Sequence, residues 1–303
     1  MATVPRSVLI TGGAGFIGKH IHAVLERQGW NVVSLDSVAA RLDSGCLRCD
    51  ITDVGQLEGV FRAHHFERII HAASILPTAA KLDPCKATEV NIGGSLNILE
   101  MAARFKVNRV IYASSGSVYG TQPASNFVPE DQQAAPEDVY GAAKRYVEIL
   151  GETYEQKFGV EFVALRIVMV VGPGGTSVTS PWRNQIFECL GLPESKEVLV
   201  PYRPDETLPL VHVEEIASML ATLASVERCS HHIYNSFGDC VHPSELKKEI
   251  ESLNPNVRVT LGTAAVTGAR AIDSSRFARE FGVLRNGFWQ RLRREAQKIR
   301  TLA

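Results

Sequence analysis

The sequence predicts an α/β fold, a doubly wound parallel sheet carrying a smaller C-terminal lobe. Three observations predict it. The first half alternates short apolar runs with segments of helical spacing, a glycine-rich turn joins the first run to the first helix, and the alternation fades after residue 168. At 303 residues the chain is long enough for one substantial core, or for one domain with a smaller lobe.

The elements follow in order. Strands are expected at 7–11, 31–35, 47–50, 68–72, 109–113 and 161–168, and helices at 16–28, 55–64, 87–105 and 139–158. In the first helix Ile21, Val24 and Leu25 recur at helical spacing. The stretch 122–138, rich in Pro, Gln and acidic residues, reads as a loop placed to cover a cleft. Later segments read as a helix at 181–190 with Pro181 early, a short strand at 197–200, and a run at 208–213 leading into a helix at 214–224. Short helices follow at 243–253 and 274–281, and a basic helix at 287–302 whose cations complement the helix dipole. No repeat or low-complexity tract is visible.

Chemistry enters at the first turn. Gly12, Gly15 and Gly18 form Gly-x-x-Gly-x-x-Gly between a strand and a helix. The first glycine allows the turn, the second admits a pyrophosphate against the backbone, and the third packs helix on strand, as in a Rossmann-type dinucleotide site. The helix N-terminus presents free N–H groups to the phosphates. Asp36 ends the second strand, where a carboxylate bonds the ribose hydroxyls and repels a 2′-phosphate, favouring NAD over NADP. Arg41 is a nearby guanidinium that would partly offset the repulsion. Asp50 has two readings, a contact to the adenine amino group or the N-cap of the helix starting near Val54.

Tyr140 and Lys144 stand four apart on the helix expected at 139–158, so they share a face. An ammonium beside a phenol favours phenolate and lowers a pKa that starts near ~10. A phenol tuned that way is a general acid/base. Ser115 upstream supplies a hydroxyl that orients a substrate. Arg183 is a candidate anion holder, since a guanidinium presents paired donors to a carboxylate. Its alternative reading is a surface Arg in a helix's first turn.

Composition bounds the rest. Net charge is −1, from 32 basic and 33 acidic residues, so no bulk field recruits nucleic acid or an anionic membrane. No apolar run approaches the ~18–20 residues of a membrane span. The N-terminal residues enter a strand directly, which leaves no signal peptide and makes the cytoplasm the expected location. Six cysteines are scattered. Cys46 and Cys49 form Cys-x-x-Cys with no second pair to complete a metal site, so no metal is expected and the thiols read as reduced.

Together these residues resemble the extended short-chain dehydrogenase/reductase family, in its epimerase/dehydratase-like branch, most densely from Val8 to Gly174. The resemblance implies that Gly12, Gly15, Phe16, Ile17 and Gly18 form the phosphate loop, with Asp36 on the ribose and Asp50 and Ile51 at the adenine. It implies that Ala72, Ala73 and Ser74 line the nicotinamide ribose, with Asn91 on the helix beside them. Ser115, Tyr140 and Lys144 match the catalytic set, Tyr140 and Lys144 also contacting cofactor. Leu165, Arg166 and Ile167 match the sixth strand, with Ile167 at the cofactor.

The implied mechanism is hydride transfer between a substrate carbinol and nicotinamide, with Tyr140 as acid/base, Lys144 on the ribose hydroxyls and Ser115 on the reacting oxygen. Ser74, Ser115, Ser117, Tyr140 and Arg183 are the substrate candidates, and His212 either faces the substrate or is structural. Met169 and Val171 stand where members acting on nucleotide-linked sugars often carry Asn and Tyr. That departure, with the short polar segment 174–183, points toward branches that oxidise small hydroxy acids, sugar acids or amino acids. The expected division is 1–168 for the dinucleotide, with return segments near 208–235, and 169–303 mainly for substrate.

The expected function is therefore an NAD-dependent oxidoreductase acting on a small polyhydroxy or hydroxy-acid molecule. One alternative is a sugar or nucleotide-sugar epimerase/dehydratase that retains its NAD, and another is a non-catalytic NAD sensor. The resemblance also implies a homodimer through the Tyr140 helix and the helix before the fifth strand, with Tyr146, Val147, Ile149 and Leu150 as apolar surface.

Overall fold

The computed structural model describes residues 6–38, 45–122, 127–175, 180–191, 195–282 and 286–302. Strands β1 (Ser7–Thr11), β2 (Asn31–Asp36), β3 (Cys46–Arg48), β4 (Arg68–His71), β5 (Arg109–Ser115), β6 (Glu161–Ile167) and β10 (Ile233–Asn235) form one parallel sheet of seven in the order β10-β6-β5-β4-β1-β2-β3. The central strands are apolar in their middle because both faces are covered; β1, β4 and β5 are buried throughout. Strand order reverses between β1 and β4, so their C-terminal ends, Thr11 and His71, open a crevice.

Helices α1 (Phe16–Arg27) and α8 (Val213–Ser225) cover one face, where Ile21, Leu25, Ile216 and Leu220 pack on Val8 and Ile10. Helices α2 (Val54–Ala63), α5 (Ser95–Arg104) and α6 (Val139–Phe158) cover the other, where Leu57, Ile98, Leu99 and Val147 pack on Leu9, Val110 and Phe162. Asp138 caps α6 by accepting from the Gly141 N–H at 2.7 Å, and Gly159 ends it in the left-handed region.

The helix expected at 87–105 forms, running without interruption from Pro84 to Arg104, but it winds wide in its middle. Two short helices, α3 (Pro77–Leu82) and α4 (Pro84–Thr88), precede a wide π-helical turn at Glu89–Gly94 before α5 begins. The turn contains Gly93 and Gly94, poor helix formers, and Asn91, whose side chain is drawn onto the backbone of Ile75.

A third apolar core belongs to the C-terminal elements. Strands β7 (Met169–Val171), β9 (Leu208–His212) and β11 (Asp239–Val241) form a small sheet, and β8 (Lys196–Tyr202) pairs with β12 (Val257–Ala264). Helices α7 (Trp182–Glu188), α9 (Pro243–Leu253) and α11 (Phe288–Leu302) complete it, with Trp182, Ile186, Val198, Leu210, Ile250 and Phe288 buried together. Helix α10 (Ser275–Phe281) packs against the main core through Phe277. The described part of the 122–138 loop is fastened down: Val128 is buried, bridges Ile272 and bonds the 271–273 backbone. Among the described residues no helix is long and apolar enough to cross a membrane.

Candidate active site

The glycine turn is shaped by close approach. Gly12 has φ +70°, and a Cβ there would lie 2.8 Å from the Ala73 nitrogen. A Cβ on Gly18 would lie 2.2 Å from the Gly12 carbonyl oxygen. Gly15 is the N-cap of α1 and offers no side chain to its first turn, which opens with Phe16 and Ile17. The turn therefore leaves the N–H groups of α1 to an incoming anion, and this uncapped cradle fits the diphosphate of NAD.

Asp36 is buried at the end of β2, and its Oδ1 accepts from the Val38 N–H at 3.0 Å. Arg41 lies outside the described residues. Asp50 is not the N-cap of α2, because its Oδ1 is taken by Thr52, from N–H at 2.9 Å and from Oγ1 at 2.8 Å. Asp53 caps α2 instead, accepting from the Gln56 N–H at 3.0 Å. The Ile51 side chain is buried, and its carbonyl accepts from Asn97 Nδ2 at 2.9 Å.

At the crevice a directed chain of hydrogen bonds fixes the strip 72–75. The Ala73 N–H donates to Thr11 Oγ1 at 3.2 Å, and Thr11 Oγ1 lies 2.6 Å from His71 Nδ1. His71 Nε2 lies 2.8 Å from Ser95 Oγ, which donates to the Asn91 carbonyl at 2.6 Å. These partners assign Nδ1 as acceptor and Nε2–H as donor. Burial, and then the Lys144 charge, push His71 down to about 3, so it stays neutral. Asn91 is spent on the same strip: Oδ1 accepts from the Ile75 N–H at 2.7 Å and Ser74 Oγ at 3.0 Å, and Nδ2 donates to the Ile75 carbonyl at 2.9 Å.

Ser115, Tyr140 and Lys144 come together. Ser115 ends β5, where its Oγ accepts from the Ser117 N–H and donates to Ser117 Oγ, both at 3.1 Å, and its hydroxyl favours the ionised form of the Tyr140 phenol. Ile167 stands beside Ser115 in the β5–β6 register. Lys144 Nζ donates to the Ala113 carbonyl at 2.8 Å and lies 4.6 Å from the Tyr112 ring centre and 5.5 Å from that of Tyr140.

The electrostatics correct one expectation. The i, i+4 pair implied a phenol lowered by Lys144. Burial instead moves the two groups in opposite directions, Tyr140 up to about 12 and Lys144 down to about 7. Ser115 and the charge of Arg183 pull Tyr140 back down, and Asp138 pushes it further up.

Arg183 is half-buried. It sits in the first turn of α7 beside Trp182, is pushed below the usual guanidinium range by burial, and is pulled back up by Tyr202. Its Nε is buried with no hydrogen-bond partner among the described residues, and its charge and the Tyr140 phenol act on each other. His212 caps α8 through Nδ1, which accepts from the Glu214 N–H at 3.3 Å, and its ring packs on Phe187.

Sequence reasoning missed Thr11, Tyr202 and Glu148. Only Glu148 left a signal, a carboxylate four residues past Lys144 on the same helix face.

Known proteins resemble this chain in sequence and in fold. UDP-glucuronate 4-epimerase 4 of Arabidopsis thaliana is 32% identical over 186 residues, 56% of this chain and 43% of that enzyme. The chain spans about half the length of the curated relatives it matches. The fold is that of L-threonine 3-dehydrogenase from Trypanosoma brucei, with TM-score 0.86 and 23% identity over 99% of this chain and 98% of that one. It is also that of UDP-glucose 4-epimerase from Thermus thermophilus in complex with NAD, with TM-score 0.82 and 24% identity over 98% of this chain and 100% of that one. The sequence pattern of the NAD-dependent epimerase/dehydratase family matches residues 8–236, more than half of the chain, and the chain belongs to that family, of the extended short-chain dehydrogenase/reductase type.

Proposed function

We propose that this protein is an NAD-dependent oxidoreductase acting on a small hydroxy acid or polyhydroxy acid, with Ser115, Tyr140 and Lys144 at the reacting carbon and Arg183 on the substrate's carboxylate. The observation that carries the reading is the half-buried Arg183, whose Nε is buried and, among the described residues, has no hydrogen-bond partner, and whose charge acts on the Tyr140 phenol. A buried N–H donor left unsatisfied is costly, and a carboxylate supplies both charge and acceptors. Met169, half-buried in β7, offers no polar contact to a sugar diphosphate and argues against a nucleotide-linked substrate.

NAD, when bound, supplies the hydride acceptor and donor. Gly12, Gly15, Phe16, Ile17 and Gly18 hold its diphosphate, Asp36 its ribose, and Asp50 and Ile51 border its adenine. Ala72, Ala73, Ser74 and Ile167 line the nicotinamide end, where Asn91 keeps the strip in shape and Lys144 meets the ribose hydroxyls. Tyr140 takes the substrate hydroxyl proton during oxidation and returns it during reduction, while Ser115 and Ser117 orient the reacting oxygen. On this reading residues 1–168 with the return near 208–235 hold the dinucleotide, and 169–303 mainly hold substrate.

The second reading is an epimerase that keeps its NAD, favoured by the likeness to UDP-glucuronate 4-epimerases, whose named substrate also carries a carboxylate. Incubation with NAD and a panel of small hydroxy acids separates the two. Net accumulation of NADH supports the oxidoreductase, whereas an isomerised product without net NADH supports the epimerase.

We also infer a homodimer through α5 and α6. Tyr146 and Ile149 on α6 are about half exposed and Leu96 on α5 joins them, whereas Val147 points into the core and Leu150 is half-buried. No disulfide forms among the described residues, which supports a reducing compartment such as the cytoplasm.

A further inference from the structure

Glu148 lies one turn beyond Lys144 on α6 and is fully buried. Its carboxylate collects four donors. Oε1 accepts from Ser114 Oγ at 2.6 Å and Arg166 Nε at 2.9 Å, and Oε2 accepts from Arg166 Nη2 at 2.8 Å and Arg145 Nη1 at 3.1 Å. Ser114 and Arg166 are cross-strand partners, and the next pair in that register is Ser115 and Ile167. One carboxylate thus fastens α6, β5 and β6 a single residue below the candidate catalytic hydroxyl. The Lys144 bond to the Ala113 carbonyl fastens the same helix to the same strand.

A buried ammonium needs an anion nearby. Among the described residues, the titratable groups facing Lys144 are Tyr140 on its own helix, Tyr112 on β5, His71 on β4 and Glu148. Tyr112 and Tyr140 are raised by burial and His71 is held neutral, which leaves Glu148 as the only carboxylate in the set.

We propose that Glu148 is a positioning residue, whose carboxylate keeps Lys144 an ammonium and holds the Ser115 strand against the Tyr140 helix. The proposal rests on Ser115, Tyr140 and Lys144 forming the site described above. Burial drives Lys144 down and Glu148 pulls it back up, in keeping with this role. Arg145 and Arg166 stand against Glu148 and weaken its field at Lys144. Removing Glu148 and removing one of these arginines therefore move Lys144 in opposite directions, a sign that a purely structural clamp does not produce.

The test is the titration of Lys144 in the full chain, followed by NMR of ε-carbon-labelled lysine, with the resonance assigned by its loss in Lys144→Met. Glu148→Gln keeps the shape and is expected to lower the midpoint by about one pH unit or more. Arg145→Gln, at a side chain that is 33% exposed and tolerant of change, is expected to raise it. Midpoints that stay at the wild-type value, or that move in the same direction in both variants, overturn the proposal. Should Glu148→Gln fail to fold, the sign of the Arg145→Gln shift decides alone. The readout is independent of turnover. Normal activity in Tyr140→Phe alongside opposite shifts of Lys144 would leave the Glu148 role standing and remove the catalytic one.

Discussion

Arg183 on α7 and Tyr140 on α6 act on each other through their charges: the cation favours the phenolate, and the phenolate favours the cation. The relationship depends on α7 delivering Arg183 to the end of α6, with Trp182 and Tyr202 holding it. Arg183→Ala is expected to raise KM for a carboxylate substrate roughly 10- to 100-fold, the loss of a charged hydrogen-bond pair, while NAD affinity stays unchanged. Steady-state kinetics with matched acid and neutral substrates check this; equal KM changes for both contradict it.

Gly18→Ala places a Cβ 2.2 Å from the Gly12 carbonyl oxygen, a backbone atom that cannot step aside. Its expected result is a loss of NAD affinity of at least ~10-fold with a lowered melting temperature, read by calorimetric titration and thermal melts. Gly59→Ala is the control. It lies inside α2, its Cβ meets nothing, and it is expected to leave NAD binding alone and stabilise by about 1 kcal/mol.

His71 and His212 are both held down by burial, to about 3 and about 4. A folded-state value below the unfolded one gives stability that is present above the unfolded value, near 6.5, and is lost as pH falls toward the folded one. Between about pH 7 and 5 the urea midpoint should fall, with a limiting slope of about 1.4 kcal/mol per pH unit for each proton gained on unfolding. A midpoint that is flat over this range contradicts the buried neutral histidines.

Thr11 passes the Ala73 N–H to His71. Thr11→Val keeps the shape and orphans both neighbours, at an expected cost of about 1–3 kcal/mol and weaker NAD binding through a loosened strip at 72–75. Chemical denaturation together with NAD titration measures both effects, and unchanged values in each would argue that the chain of bonds is incidental.

What the sequence makes legible is what local chemistry controls. Strand β1, helix α1 and helix α6 stand within a residue of where the hydrophobic pattern puts them. The glycine turn and the Tyr140–Lys144 pair are equally local. Strands β7, β10 and β11 span three residues each, too short to show a period, while β12 alternates Val257 and Val259 inward and went unread. The helix at 87–105 is where its pattern puts it, but its wide turn is not legible, because Asn91 answers to Ile75, a tertiary partner. The direction of the Tyr140 shift was hidden for the same reason: burial comes from the whole sheet, whereas the i, i+4 charge is visible in one helix. Arg183 had two readings until Tyr202 and Trp182 closed around it.

The central claim is that the Tyr140 oxygen moves the substrate proton in an NAD-bearing cleft. The most direct measurement compares wild type and Tyr140→Phe in NAD affinity and in single-turnover reduction of NAD by an acid substrate of the wild type. The account predicts equal affinity and a rate lower by ~10²–10⁴-fold in the variant. Near-wild-type turnover in Tyr140→Phe would contradict it.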